Sequence, residues 1–246
     1  MAYTLNTPKT PPKAKKNPKT FSQLGRDRTD EYSWMKDENW QAVMRDPSLL
    51  NPDIRAHLEM ENAYTKTALN PLEPLKDIIF EEMKARLEPE DSSVLAPDGD
   101  YAYYHRFRKG DQHGLFARKP IKNGDIEQSG DEEATLDVDE LAKNHTGFFD
   151  LGTVVHSRNH NRLAYSQDVH GAENYEIFVK DLKTGETRST DITTSTGGIV
   201  WAADNQTLFW VERDENQRPY AVYARNIDGE APVSYTHLTL PTILRV

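Results

Sequence analysis

Leu163-Ala-Tyr-Ser-Gln-Asp168 and Leu208-Phe-Trp-Val-Glu-Arg213 are two copies of one pattern. Each reads as a short strand followed by a polar turn. A second strand comes next in both, Tyr175-Glu-Ile-Phe-Val-Lys-Asp181 and Tyr220-Ala-Val-Tyr-Ala-Arg-Asn226. A Gly-Glu turn then closes each copy, at Gly185-Glu186 and Gly229-Glu230. Leu163 and Leu208 are 45 residues apart, as are Tyr175 and Tyr220, and the glycines are 44 apart. A repeat of about 40–50 residues built from paired strands is the signature of β-propeller blades. A third copy lies upstream. Tyr101-Ala-Tyr-Tyr-His-Arg-Phe107 reads as a strand, Lys109-Gly110-Asp111 as a turn and His113 to Lys119 as a partner strand. Asn123-Gly124-Asp125 is a further turn, and the acidic stretch Gln128 to Glu133 reads as a surface loop.

A blade cannot bury both faces alone, so blades stack until the ring closes and no edge is left exposed. Closure takes at least about four blades. The strand region here, 95 to 231, is 137 residues long and holds about three. The expected fold is therefore mainly β, a partial propeller preceded by an extended and helical segment, and the chain reads as a fragment. The expected divisions are 1–74, an extended and helical segment, then 75–231, a helix and the first blades, then 232–246, a separate tail.

The helical region is well punctuated. Asn51-Pro52 supplies an N-cap and a proline at the first helical position, which predicts a helix from Pro52 to Leu69 with Ile54, Leu58 and Tyr64 inward. Pro71 and Pro74 break it. Leu75, Ile79, Met83 and Leu87 then recur every four residues beside Ile78, opposite Lys76, Asp77, Glu81 and Lys84. That periodicity predicts a second helix ending at Pro89, with its apolar stripe in the core.

Composition narrows the class. The chain has 246 residues, 36% of them hydrophobic and 28% charged. No apolar run is long enough for a membrane span, and Met1 to Thr20 lacks the apolar stretch of a secretory signal. The absence of cysteine excludes disulfides, a thiolate nucleophile and Cys-ligated zinc. A cytoplasmic location fits. Residues 1–28 carry a net +6 and the other 218 residues −16. The acidic body argues against nucleic acid as a partner. The Pro- and Lys-rich lead reads as an extended strap pairing with that body, and as mobile across Lys9 to Lys19.

No Gly-x-Ser-x-Gly elbow is present, and Thr196-Gly197-Gly198 is not a phosphate loop. His156 and His160 have a spacing that could hold a metal on a helix. Here they sit in a polar turn entering a strand, with His170 beyond, and the spacing alone does not place them on one face. Glu81-Glu82 and Glu88, Glu90 and Asp91 read as solvated carboxylates. Tyr103, Tyr104 and His105 read as blade packing. The expectation is that the chain holds no catalytic, cofactor-binding or metal-ligating residue. From Pro232 to Val246 there is no acidic residue. This tail does not continue the blade pattern and resembles the peptide read when a frame runs through sequencing-adapter DNA, so His237 carries no functional reading.

Several strings in order carry a resemblance. They are Pro11-Pro-Lys-Ala-Lys15, Gly25-Arg-Asp-Arg28, Asp30-Glu-Tyr-Ser-Trp-Met-Lys-Asp37, Glu61-Asn62-Ala63-Tyr64, Glu82-Met83 with Arg86, Asp181-Leu-Lys-Thr-Gly-Glu186 and Trp201-Ala-Ala-Asp204. Across residues 11–231 the chain resembles the N-terminal half of the prolyl oligopeptidase family of serine peptidases, most of all its oligopeptidase B (protease II) branch. Leu24 departs from the family's frequent His before Gly25. Ser157-Arg-Asn-His-Asn161 departs from its usual Ser-Pro-Asp-Gly turn.

The resemblance implies a two-part enzyme. Residues 1–74 would pack on a C-terminal α/β-hydrolase domain, and a propeller of about seven blades would gate access to it. The Ser, His and Asp of the triad would lie in that absent domain. The expected function is that of an N-terminal fragment of a serine oligopeptidase acting on short peptides after Arg or Lys, inactive alone and without a cofactor. Two alternatives stand: a non-catalytic propeller scaffold, and a prolyl-specific or aminopeptidase-like member of the family.

Overall fold

The computed structural model describes residues 5, 6, 8, 10–122, 125–126, 131–214, 216–229 and 233–237. Two compact units divide the chain, Met1–Glu88 and Pro89–Val246.

In the first unit, β1 (Lys19–Gln23) and β2 (Arg26–Asp30) form a hairpin. A short α1 (Trp40–Arg45) precedes α2 (Pro52–Leu69) and α3 (Glu73–Lys84). α2 has the predicted bounds. The Asn51 side chain accepts from the Asp53 N–H at 2.9 Å, satisfying one of the free donors of the first turn. Ile54 is buried and Tyr64 half-buried, but Leu58 is exposed. The lead segment pairs with acidic groups of its own unit. Lys15 meets Asp53, and Lys16 meets Glu31 at 2.6 Å. The Trp34 indole N–H donates to the Lys15 carbonyl at 2.8 Å. Of the stretch Lys9–Lys19 expected to be mobile, Lys9 lies outside the described residues, and Lys15 and Lys16 make the ion pairs just given.

α3 corrects one expectation. It ends at Lys84 rather than Pro89, and its apolar stripe is not core. Ile78, Ile79, Phe80 and Met83 are exposed, as is Leu87 beyond the helix, and Leu75 is half-buried. Periodicity shows that a face is apolar, not that something covers it.

The second unit is built of antiparallel sheets. The first comprises β3 (Ala96–Asp98), β4 (Tyr101–Arg106), β5 (Leu115–Lys122), β6 (Asp125–Ile126) and β7 (Glu133–Asp137). α4 (Val138–Lys143) leads to the second sheet, β8 (Asp150–His156), β9 (Arg162–Asp168), β10 (Glu176–Asp181) and β11 (Thr187–Ser189). The third is β12 (Ser195–Trp201), β13 (Thr207–Arg213), β14 (Pro219–Asn226) and β15 (Val233–His237). In the second and third the chain starts at one edge strand and steps across to the other, whereas in the first both β6 and β7 pair with β5. The sheets do not close on one another, so this is a partial propeller, and we call them blades one to three.

The predicted strand pairs fall on β9–β10, β13–β14 and β4–β5. The reading missed the first strand of each blade. β8 and β12 begin 45 residues apart, in the same period. Glycine hides them: Gly152 and Gly197 lie at matching bulges, and a Cβ at either would crowd the Tyr175 ring at 3.0–3.1 Å. The tail also differs from expectation at its start, where Val233–His237 pairs with β14 as the outer strand of blade three. The turn at Asn123-Gly124 and the first half of the predicted acidic loop, residues 128–130, lie outside the described residues.

Strand alternation builds two cores from one sheet. Leu163 and Tyr165 of β9 point toward blade one, packing with Leu136 and Val138. Ala164 points the other way and joins Ile177, Val179, Ile199, Trp201, Leu208 and Trp210 between blades two and three. Each fully buried large side chain contributes about 1.5–3 kcal/mol. Among the described residues no helix is long and apolar enough to cross a membrane.

Candidate functional site at the blade junction

The turn joining the first two strands of each blade follows one plan. Its pivot takes a positive φ, at Gly99 (57°), His160 (59°) and Asn205 (59°). Glycine adopts this conformation freely, whereas asparagine and histidine, though found there more often than most side chains, do so at some cost. His160 therefore occupies a strained position. It is the residue by which Ser157-Arg-Asn-His-Asn161 departs from a Ser-Pro-Asp-Gly turn.

Two of these turns meet. Asp98 ends β3 and His156 ends β8. The His156 Nε2 lies 2.9 Å from the Asp98 Oδ2, linking blades one and two. The His156 and His160 rings stack with centroids 5.3 Å apart. Tyr103 stacks on His156 at 3.8 Å, and its hydroxyl lies 2.9 Å from the His160 Nδ1. The two histidines thus come together, through a strand end and a turn rather than one helix face. Asp98, His156 and His160 each offer a ligand atom, all within 4.8 Å of one another.

Arg118 anchors the cluster from below. It is 5% exposed and forks onto Glu133 at 2.8 and 2.7 Å. It also donates to the His160 carbonyl at 2.5 Å and lies 4.0 Å over the Tyr101 ring. Burial first, and the neighbouring His156 second, hold the His160 ring below its ordinary value of 6.5. A cleft of about 380 Å³ opens beside the cluster, lined in part by Tyr103, Tyr104, Phe116, Val154 and His156.

The other singled-out residues lie apart. His170 is exposed, and its backbone N–H donates to Asp168. Asp168 is buried and also accepts from the Gly171 and Glu173 N–H groups. Tyr104 hydrogen-bonds Glu132, while His105 is exposed, edge-on to Phe107 and tilted against Phe116. Glu82 of α3 pairs with Arg86 just beyond the helix, both exposed, and Asp91 accepts from the Ser92 N–H. The side chain of His237 is outside the description. Sequence reasoning missed Asp98, although its Asp-Gly turn could have been aligned with Asn159-His160 and Asp204-Asn205.

Comparison with known proteins agrees with this architecture. The family described as "Prolyl oligopeptidase, N-terminal beta-propeller domain" matches residues 11–232. The chain belongs to the prolyl oligopeptidase family. Dipeptidyl aminopeptidase BI of Pseudoxanthomonas mexicana is 32% identical over 216 residues, 83% of this chain and 28% of that protein. Protease 2 of Moraxella lacunata is 29% identical over 221 residues, 89% of this chain and 30% of its own length. The structure of oligopeptidase B from Leishmania major superposes with a TM-score of 0.78 at 25% identity, covering 94% of this chain and 33% of that one. The chain thus spans under a third of the curated relatives just named. The family match ends at 232, where acidic residues stop.

Proposed function

We propose that this chain is the N-terminal part of a cytoplasmic serine oligopeptidase that hydrolyses short peptides after Arg or Lys. The observation that carries the reading is the family match over residues 11–232, together with the likeness to oligopeptidase B. The nucleophile, base and orienting carboxylate belong to a C-terminal hydrolase domain outside this chain. The propeller serves as a gate: stacked blades around a channel admit a thin peptide and exclude a folded protein. Residues 1–74 pack on the hydrolase domain. The exposed apolar side of α3 supports a missing neighbour, since Ile78, Ile79, Phe80 and Met83 lie together on a short helix. Residues 232–246 are a foreign tail, which the end of the family match supports.

The 32% identity to a dipeptidyl aminopeptidase favours a second reading, release of dipeptides from a free N-terminus. One experiment separates the two. The reading frame is resequenced across the Pro232 codon, and the continued protein is assayed with three fluorogenic peptide classes. These are an N-blocked peptide ending in Arg or Lys, an N-blocked peptide ending in Pro, and an unblocked dipeptide. Cleavage of the first, with fluorophosphonate labelling of one downstream serine, is expected. The 246-residue chain alone should cleave none. Cleavage of only the unblocked dipeptide supports the second reading, and a frame that stops at Val246 overturns both.

A further inference from the structure

We propose that Asp98, His156 and His160 form a binding site for a divalent cation of the zinc type, clamping blade one to blade two. The donor set is two imidazoles and one carboxylate, which suits a borderline ion and leaves a coordination position open. The ligands come from both sides of one blade junction, so an ion there joins elements that otherwise meet through side-chain contacts. No segment of the sequence holds the site by itself, and the spacing His156–His160 does not reveal it.

The surroundings support the assignment. His160 sits at a left-handed pivot where the matching turns carry Gly99 and Asn205. A side chain held at such a position costs about 1–3 kcal/mol and marks sites where it has a task. Its Nδ1 is held by the Tyr103 hydroxyl at 2.9 Å, leaving Nε2 as the ligand atom, in the manner of metal-bound histidines whose second nitrogen is fixed by a partner. That Nε2 lies over Gly99, where a Cβ would approach it to 2.5 Å. Gly99 thus opens the space that the ring occupies. The nearby cation, Arg118, is matched by its bidentate pair with Glu133.

The geometry also sets what binding requires. A tetrahedral ion with bonds of about 2.1 Å needs ligand atoms about 3.4 Å apart. Asp98 and His156 already approach to 2.9 Å. The three ligand atoms all lie within 4.8 Å of one another, so an ion at their centre asks only for small side-chain adjustments.

The test titrates the full 246-residue chain with zinc against a chromophoric chelator, and with cobalt(II) to read the ligand field. One zinc per chain is expected, with a cobalt spectrum of tetrahedral or five-coordinate type and a zinc-dependent rise in the thermal midpoint. His160→Gly restores the glycine of the turn and relieves its strain. It should fold at least as well, weaken zinc binding by about 100-fold and abolish the midpoint rise, while Tyr103→Phe costs about 10-fold. His170→Gly should change nothing. If the wild-type chain takes up no zinc at saturating excess, or if His160→Gly binds it equally well, the cluster is a hydrogen-bonded junction and the proposal fails.

Discussion

Single residues carry much of the strain and charge of this chain. Leu24 and Gly25 form the two-residue turn between Gln23 and Arg26, with φ of 52° and 71°. A turn with both residues left-handed favours Asn-Gly, and a γ-branched Leu there is strained and fully exposed. Leu24→Asn is expected to stabilise the hairpin by about 1 kcal/mol, read as a higher urea midpoint. Glu132 shows the opposite economy. The forked Arg106 contact, chiefly, with help from Tyr104, holds its carboxyl at about 2, against an ordinary value of 4.5. A carboxylate depressed by folding contributes stability above its unfolded value, which is lost as pH falls. Stability should therefore decline from pH 4.5 toward 2, and Glu132→Gln should flatten that part of the curve. An unchanged acid slope in the variant would show that other carboxylates set it.

At the scale of elements, the same residue type has different worth according to what covers it. Leu208 in β13 is fully buried between blades two and three, whereas Ile79 in α3 is 47% exposed. Leu208→Ala should cost about 2–5 kcal/mol through lost burial and the cavity left behind. Ile79→Ser should cost about 0.5 kcal/mol or less in this chain, because little contact is lost. Chemical denaturation of both variants checks the contrast. The legibility of the elements follows the same line. α2 could be read to its end residues because its cap and prolines are local signals. β9, β10, β13 and β14 could be read because alternating side chains record two-sided burial. β8 and β12 could not, because Gly152 and Gly197 interrupt the alternation where Tyr175 packs close to the backbone. Local patterning records what a segment needs, and a bulge removes that record.

At the scale of the whole molecule, the blades form a stack that does not close. Blade two has both of its faces packed, one against each neighbouring blade, through Leu163 and Tyr165 on one side and Ala164 and Ile177 on the other. Among the described residues no further blade packs on the second face of blade three, and Val200 on β12 is 62% exposed between buried Ile199 and Trp201. An open stack of this kind encloses no channel by itself, so the proposed gating role calls for further blades. Polar links tie blade one to blade two through the Arg118 guanidinium on the His160 carbonyl, Lys180 to the Thr135 carbonyl at 2.9 Å, and Asp98–His156.

The sequence by itself determined the class of the protein. The 45-residue period, the capped α2 and the ordered strings from Pro11 to Asp204 are local or periodic features, and such features survive in a linear reading. Tertiary structure alone decided two things. One is that the apolar side of α3 stands uncovered, because amphipathicity is a property of a helix but burial is a property of its neighbours. The other is the cluster at the blade junction. Asp98 is 58 residues from His156 and 62 from His160, and no pattern along the chain links them. They meet because stacked blades bring equivalent turns side by side, and that juxtaposition exists only once the sheets have packed.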